Sequence, residues 1–174
     1  MPDRVNLYQI RNSVAERISA IETSHGSWPC RKGCDDCCRS LAAEPQATEE
    51  EWRQIYSAIQ ALPDASLLFE MIAQSERLER PIICPLLNAE AGTCRIYEAR
   101  PIACRSHGFY AERDKVLGCF RIESLAAESP NVIWGNHETL SDRMRALGPK
   151  KTLSEWLRIT SAAPSTSRQP LQNP

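Results

Sequence analysis

Four cysteines within nine residues are the feature that most restricts how this chain can fold. They are Cys30, Cys34, Cys37 and Cys38, and four more follow singly: Cys84, Cys94, Cys104 and Cys119. Gaps of two or three residues let a loop turn its side chains towards one centre, and Gly33 gives that loop backbone conformations that other residues avoid. We therefore expect the clustered thiols to form a site that the distant cysteines complete.

Three explanations compete for these eight cysteines. Disulfides need an oxidising compartment, but the chain opens on polar and charged residues, so we expect a cytoplasmic protein with reduced thiols. Unmodified buried thiols can account for one or two cysteines, Cys119 most readily, but hardly for the cluster. Metal ligation accounts for the rest, and all eight cysteines are candidate ligands.

The ligand types are compatible with an iron–sulfur cluster, which we favour, and with zinc. A thiolate-rich set without a dependable histidine is typical of iron–sulfur ligation, yet zinc also accepts four cysteines. Eight thiolates exceed what one zinc ion needs, so the site is either a polynuclear cluster or two separate ions. Because the side chains of Cys37 and Cys38 point in different directions, one of them either ligates a second metal or is an unligated thiol beside the site.

Charged and polar residues near Cys104 are weaker candidates. His107 lies three residues further on and could complete a mixed Cys/His site, although a lone histidine in a polar loop is more often a surface group. Arg100 and Arg105 would offset the charge of thiolates and lower the pKa values of the thiols. The alternative for both arginines is a salt bridge to Glu98 or to the aspartates of the cluster. No catalytic triad, phosphate loop or carboxylate pair stands out.

The composition indicates one ordinary globular domain. A chain of 174 residues can bury roughly 70% of its unfolded surface, and 42% apolar with 25% charged residues is typical of globular proteins. The net charge of −1 argues against a nucleic-acid partner, because phosphate binding relies on a basic excess. No run approaches the ~20 apolar residues that a membrane crossing needs, so we expect no membrane association.

Hydrophobic periodicity predicts a mainly helical fold. The first predicted helix has its apolar stripe over residues 5–21 and is expected to end near Gly26, and the others cover residues 49–62, 67–78, 138–147 and 153–159. Two of them begin behind a capping box, in which Thr48 pairs with Glu51 and Thr152 pairs with Glu155. Short extended segments are expected near residues 81–97.

These elements predict one small, irregular helical domain around a cysteine-ligated metal centre. The domain covers residues 1–163, its cysteine core covers 26–120, and residues 26–47 are mostly loop. The first three predicted helices are expected to form the hydrophobic core beside the metal centre. Residues 164–174 are rich in Pro, Ser and Gln and are predicted to be a disordered tail.

Three segments together carry a specific motif. They are the CxxxCxxCC run Cys30 to Cys38, the run Cys84-Pro85-Leu86-Leu87, and the run from Gly92 to Arg105 with Ile96-Tyr97 and Arg100-Pro101. The combination resembles the YkgJ-like cysteine-cluster family, described as proposed zinc- or iron-chelating domains. The resemblance spans residues 30–105, leaves Cys119 outside, and implies a metal site but little enzymology.

The expected function is metal or cluster binding, with an electron-transfer or structural role and an undetermined redox or protein partner. The rival is a metal-dependent enzyme that modifies a protein or a small molecule, for example by methyl transfer. A flagellin lysine methylase is similar in its cysteine motif, which keeps this rival open. The spacing of Cys30, Cys34 and Cys37 is also similar to the motif of radical S-adenosylmethionine enzymes, but the alternating strands and helices of their barrel are missing from the pattern.

Overall fold

A computed structural model describes residues 6–113 and 115–162. The protein is about 53% helical, which confirms the mainly helical fold class. The helices are α1 Leu7–His25, α2 Asp36–Arg39, α3 Glu49–Gln60, α4 Ala65–Ser75, α5 Ile102–Ser106, α6 Phe120–Glu128, α7 His137–Arg145 and α8 Leu153–Ala162, with a 3₁₀ turn at Tyr97–Ala99.

Short strands connect these helices. They are β1 Gln46–Ala47, β2 Leu87–Asn88, β3 Thr93–Cys94, β4 Tyr110–Glu112, β5 Lys115–Val116, β6 Gly135–Asn136 and β7 Lys151–Thr152. Strands β1 and β7 pair antiparallel, β2 and β3 form an antiparallel hairpin, and β4 pairs antiparallel with β5 and parallel with β6. The β2–β3 hairpin confirms the extended segments predicted near 81–97. The other strands were not predicted, because two or three residues show no measurable alternation.

The long helices begin and end where the sequence signals them. In α1 the Asn6 side chain accepts from the backbone N–H of Gln9, and the Gly26 N–H donates to the carbonyl of Glu22. The predicted end near Gly26 is thereby confirmed. The capping box of Thr48 and Glu51 begins α3, also as predicted.

The buried apolar side chains of the described residues form two hydrophobic cores. The first core consists of buried residues of α1, α5, α6, α7, β4 and their loops: Leu7, Ile10, Val14, Ile21, Trp28, Ile102, Phe109, Tyr110, Ile122, Val132, Leu140 and Met144. The second core consists of buried residues of α3, α4, α8 and the segments beside them: Ala47, Trp52, Ile55, Ile59, Leu68, Ile72, Cys84, Leu86, Leu87, Ile96, Leu153 and Trp156. The prediction that the first three predicted helices share one core is wrong, because α1 belongs to the first core and α3 and α4 to the second.

The predicted loop at residues 26–47 needs a smaller correction. It contains the four-residue helix α2 and the strand β1, both too short for a periodic signal. Helices α5 and α6 were likewise not predicted. The proposed tail at 164–174 lies outside the described residues. In the parts of the chain that the structure describes, none of the helices combines the length and apolar character that a bilayer crossing requires.

Candidate metal centre

Cysteines from both parts of the sequence pack against the two hydrophobic cores. Cys30 and Cys119 pack against the first core, whereas Cys38 and Cys94 pack against the second, of which Cys84 is a member. Cys84 is buried and the other seven are partly buried, and all eight are free thiols. The structure therefore brings the clustered and the distant cysteines into one region.

A tight turn and a short helix gather the first four thiols. The N–H of Cys34 donates to the carbonyl of Arg31 at 2.9 Å, and Gly33 has a φ of +93°, a backbone conformation that favours glycine. Helix α2 then carries Cys37 and Cys38, whose Sγ atoms lie 4.0 Å apart. These neighbouring thiols are thus close together.

Backbone pairing joins α2 to the segment that carries Cys84 and Cys94. The N–H of Cys84 donates to the carbonyl of Cys38 at 2.7 Å. In the β2–β3 hairpin Cys94 is opposite Leu87, and Gly92, with a φ of +62°, makes the turn. The hairpin therefore holds Cys94 beside the segment that begins at Cys84.

A buried carboxylate holds the helix that carries Cys104. Besides accepting from the N–H of Thr48 at 2.8 Å, Glu51 accepts from the N–H of Ile102, the first residue of α5, at 2.7 Å. Glu51 is only 1% exposed. The capping box was predicted, but its second role, linking α3 to the start of α5, was not visible in the sequence because Ile102 is 51 residues away.

An ion pair holds Cys119 near the cluster. Cys119 is the N-cap residue of α6, and Arg121 in the first turn of that helix pairs with Asp36 of α2 at 3.0 Å. The charges of the Cys119 and Cys34 thiols both contribute to raising the pKa of Cys30, after burial, which is the largest cause. Cys119 therefore lies near the cluster on α2, and whether it binds metal or is an unmodified thiol stays a prediction.

A glycine covers Cys30. A Cβ atom added to Gly108 would lie 2.2 Å from the Cys30 Sγ, and Gly108 has a φ of +83°. The carbonyl of Gly108 accepts a hydrogen bond of 3.0 Å from the buried indole N–H of Trp28. This loop therefore packs its backbone directly on the thiol, which no other residue type permits.

Burial and mutual proximity raise the thiol pKa values. Burial, followed by the charges of Cys34, Cys119 and Cys37, raises the pKa of Cys30 to about 12. The hydrogen bond to Cys38, followed by burial, raises the pKa of Cys37 beyond the usual range. In the metal-free protein these thiols are protonated at neutral pH, and a cation that binds there must displace their protons.

The thiols nearer the second core behave in the same way. Burial, then the charges of Cys38, Cys37 and Cys94, raise the pKa of Cys104 to about 12. The hydrogen bond from Cys37 is the largest effect on Cys38 and lowers its pKa, but the contact with Cys84 and burial outweigh it, and the pKa of Cys38 is about 12. Gathering these thiolates without a cation is therefore unfavourable.

Arg100 supplies positive charge to the site. Its guanidinium lies 3.6 Å from the centre of the Tyr97 ring, and its charge lowers the pKa of Cys37, Cys94 and Cys104 against the larger effects that raise them. Arg105 instead donates to the backbone carbonyls of Arg100 and Glu98.

The aspartates of the cluster have other partners than these two arginines. Asp35 pairs with Arg39 at 2.7 Å, and Asp36 pairs with Arg121. Of the two explanations for Arg100, the structure supports the charge that offsets thiolates.

A small cavity of about 140 Å³ opens beside the thiols. Its lining includes the thiols of Cys30, Cys34, Cys37 and Cys104 together with basic residues and His107. Burial lowers the pKa of His107, so its ring is neutral at pH 7. His107 thus adjoins the site, and whether it binds metal stays a prediction.

The thiols lie in one region of the protein, but they are not arranged as the ligands of one metal ion. Within residues 6–113 and 115–162, no three His, Cys, Asp or Glu side chains stand in ready metal-binding geometry. The donor set nevertheless fits zinc or iron, because both accept several thiolates and all eight cysteines are free thiols.

Cysteines that converge in this way define the class of cysteine-rich, metal-chelating domains. Residues 29–120 match the model of the CxxCxxCC family, described as a "Putative zinc- or iron-chelating domain", and the chain belongs to this family. The match confirms the cysteine-cluster resemblance and extends it to residue 120, so the earlier boundary at 105 was too short and Cys119 lies inside the family domain. No curated protein and no solved structure matches the chain.

Proposed function

We propose that this protein binds an iron–sulfur cluster or zinc through its eight cysteines. The gathering of clustered and distant cysteines beside the two hydrophobic cores is the observation that carries the proposal. The raised pKa values of Cys30 and Cys104 mean that close packing of their thiolates requires a compensating cation. Family membership supports metal binding in general.

Iron–sulfur ligation is the form that we favour. The ligand set is rich in thiolates, and the one histidine beside it, His107, is a single residue in a loop. The role that follows is electron transfer with a redox partner or structural support of the fold, in the cytoplasm, where thiols stay reduced. We place residues 1–163 in one metal-binding domain.

Anaerobic purification tests the proposal. We expect iron, acid-labile sulfide and broad visible absorption, and we expect the metal content to fall in Cys34→Ser and Cys94→Ser variants. Colourless protein that carries only stoichiometric zinc would reject the iron–sulfur form and retain metal binding. Protein that holds neither metal as purified nor after reconstitution would reject the function.

The cavity beside the thiols favours a second candidate function. A metal held by Cys30, Cys34, Cys37 or Cys104 would border this space of about 140 Å³, whose wall includes the cations of Lys32 and Arg100. Catalytic metal sites keep an open position for substrate or water, whereas structural sites are closed. A metal-dependent enzyme acting on a small anionic group would use such a position.

Exogenous ligands separate the two candidates. In protein reconstituted with cobalt(II), binding of azide or cyanide to an open position changes the visible spectrum. A saturable spectral change supports the enzyme. An unchanged spectrum at high ligand concentration supports a closed site with a structural or electron-transfer role.

A further inference from the structure

We infer that a second cavity, lined by α1, α7 and the strands β4 and β6, binds a small molecule through a carboxylate or phosphate group. This space, the anion cavity, has a volume of about 390 Å³. Such a volume is within the range of small-molecule binding sites. Binding there requires no metal, so the site is independent of the function proposed above.

Two arginines line the anion cavity from two different helices. Arg17 belongs to α1 and Arg143 to α7. Among the described residues neither guanidinium forms an ion pair, whereas Arg145, also on α7, pairs with Asp142 at 2.5 Å. Arg17 donates to the backbone carbonyl of Ile133 at 3.2 Å, which fixes its side chain beside the loop before β6. The planar guanidinium group matches the paired oxygens of a carboxylate or phosphate.

A buried tyrosine adds a hydroxyl group to the two cations. Tyr110 is only 6% exposed and lines the anion cavity, yet its hydroxyl makes no hydrogen bond within the part of the chain that the structure describes. Buried polar groups normally have a partner. Burial raises the pKa of Tyr110, and the charges of Arg17 and Arg143 partly offset this rise, so both guanidinium groups are near the phenol. An oxyanion in the cavity would accept hydrogen bonds from all three side chains.

Close packing holds the tyrosine ring at the wall of the cavity. A Cβ atom added to Gly135 would lie 2.5 to 2.6 Å from three ring carbons of Tyr110, so the ring rests directly on the glycine backbone. The parallel pairing of these two residues in β4 and β6 keeps them together. The position of the hydroxyl is therefore fixed before a ligand binds, which reduces the entropy lost on binding.

The start of α7 and one carboxylate complete the lining. Asn136 and Thr139 line the cavity, and the Asn136 side chain accepts from the Thr139 N–H at 2.8 Å, which leaves its amide nitrogen able to donate to an oxyanion. Glu16 of α1 is exposed at the cavity. Its carboxylate favours a ligand that also carries a hydroxyl or amino group, because these groups can donate to it.

The anion cavity is distinct from the cavity beside the thiols. Adjacent residues of α1 line different cavities, because Arg17 borders the anion cavity and Ile18 borders the thiol cavity. The chain before β4 divides in the same way, with Tyr110 at the anion cavity and Phe109 at the other. Helix α1 and residues 109–110 therefore lie between the two sites.

Calorimetric titration of the full-length protein, purified without oxygen, tests the site. The probes are inorganic phosphate and succinate at constant ionic strength, with sodium chloride as the blank. We expect saturable binding of at least one probe, and binding about tenfold weaker or more in Arg143→Gln, because a hydrogen bond to a charged group is lost. Tyr110→Phe, which keeps the ring on Gly135, should weaken binding several-fold. Arg145→Gln is the matched control and should bind like the natural protein, since Arg145 already pairs with Asp142.

Three results would overturn the site. They are no saturable binding of either probe, unchanged binding in both Arg143→Gln and Tyr110→Phe, and an equal loss in Arg145→Gln, which would reflect net charge alone. Circular dichroism and metal per chain check that each variant is folded. If Arg143→Gln fails to fold, Arg143→Lys keeps the charge without the planar fork and should also bind more weakly. Protein that holds no metal but binds a probe would reject the proposed function and retain this site.

Discussion

The two halves of the cysteine set reach the site by different physical routes. Cys30, Cys34, Cys37 and Cys38 are placed by local structure, namely a turn at Gly33 and the short helix α2. The other four sit on a loop, a hairpin, the short helix α5 and the N-cap of α6, and their positions depend on contacts made far along the chain. The comparison teaches that the local spacing of cysteines can indicate a metal site, whereas tertiary contacts bring in the remaining candidate ligands.

The largest losses of metal and of stability are expected for substitutions of the cysteines themselves. One clustered and one distant cysteine are compared directly. If both are ligands, Cys34→Ser and Cys119→Ser should each remove metal and lower stability, because metal-binding energy of about 10 kcal/mol or more is part of the folding energy in small structural sites. Metal per chain and thermal unfolding check this. A Cys119→Ser protein with full metal content would return Cys119 to the role of a buried thiol.

Substitution of Gly108, whose backbone packs on the Cys30 thiol, should give the next largest loss of stability. In Gly108→Ala the added Cβ meets the Cys30 Sγ at 2.2 Å, in a backbone conformation that side chains disfavour. Backbone strain and overpacking together should lower the free energy of unfolding by about 2–5 kcal/mol and displace the thiol. Urea unfolding and metal content measure both consequences.

Gly148→Ala is the matched control. Gly148 also has a positive φ, of +121°, but nothing lies within 4 Å of an added Cβ. This variant should incur only the backbone strain, about 1–2 kcal/mol, and retain its metal. Equal metal loss in the two variants would show that contact with Cys30 is unimportant.

Substitution of the buried acceptor Glu51 tests how the helix that carries Cys104 is held in place. Glu51→Gln replaces a carboxylate oxygen that accepts from Thr48 or Ile102 with an amide donor, which should cost about 1–3 kcal/mol and loosen the start of α5. Glu155→Gln is the control, because Glu155 makes the same capping contacts with Thr152. We expect faster alkylation of Cys104 in metal-free Glu51→Gln than in Glu155→Gln, and identical rates would contradict the link.

The smallest effect is expected at the ion pair between α2 and α6. Exposed ion pairs contribute about 0–1 kcal/mol, so Arg121→Ala should change stability little. It should nevertheless weaken zinc binding, because Arg121 holds the helix that Cys119 begins. Arg53→Ala removes the exposed pair with Glu49, away from the cysteines, and serves as the control in a chelator competition. Equal zinc affinities in both variants would count against this role of Arg121.

The same contrast explains how much of the protein could be predicted from its sequence. Capping residues and apolar stripes identify α1, α3, α4, α7 and α8, because these signals are local. The apolar stripe of a helix does not show which other element it packs against, so the division into two hydrophobic cores was not predicted. Cys119 was judged peripheral for the same reason, since its approach to Cys30 depends on Arg121 meeting Asp36 across 85 residues.

Counting reactive thiols in the natural protein before and after metal removal tests the central claim most directly. Protein purified without oxygen is treated with a thiol reagent under native conditions, then again after chelation and unfolding. If the cysteines hold metal, few thiols should react at first and all eight should react afterwards, with metal released in proportion. Eight thiols that react at once in folded, metal-free protein would contradict the claim.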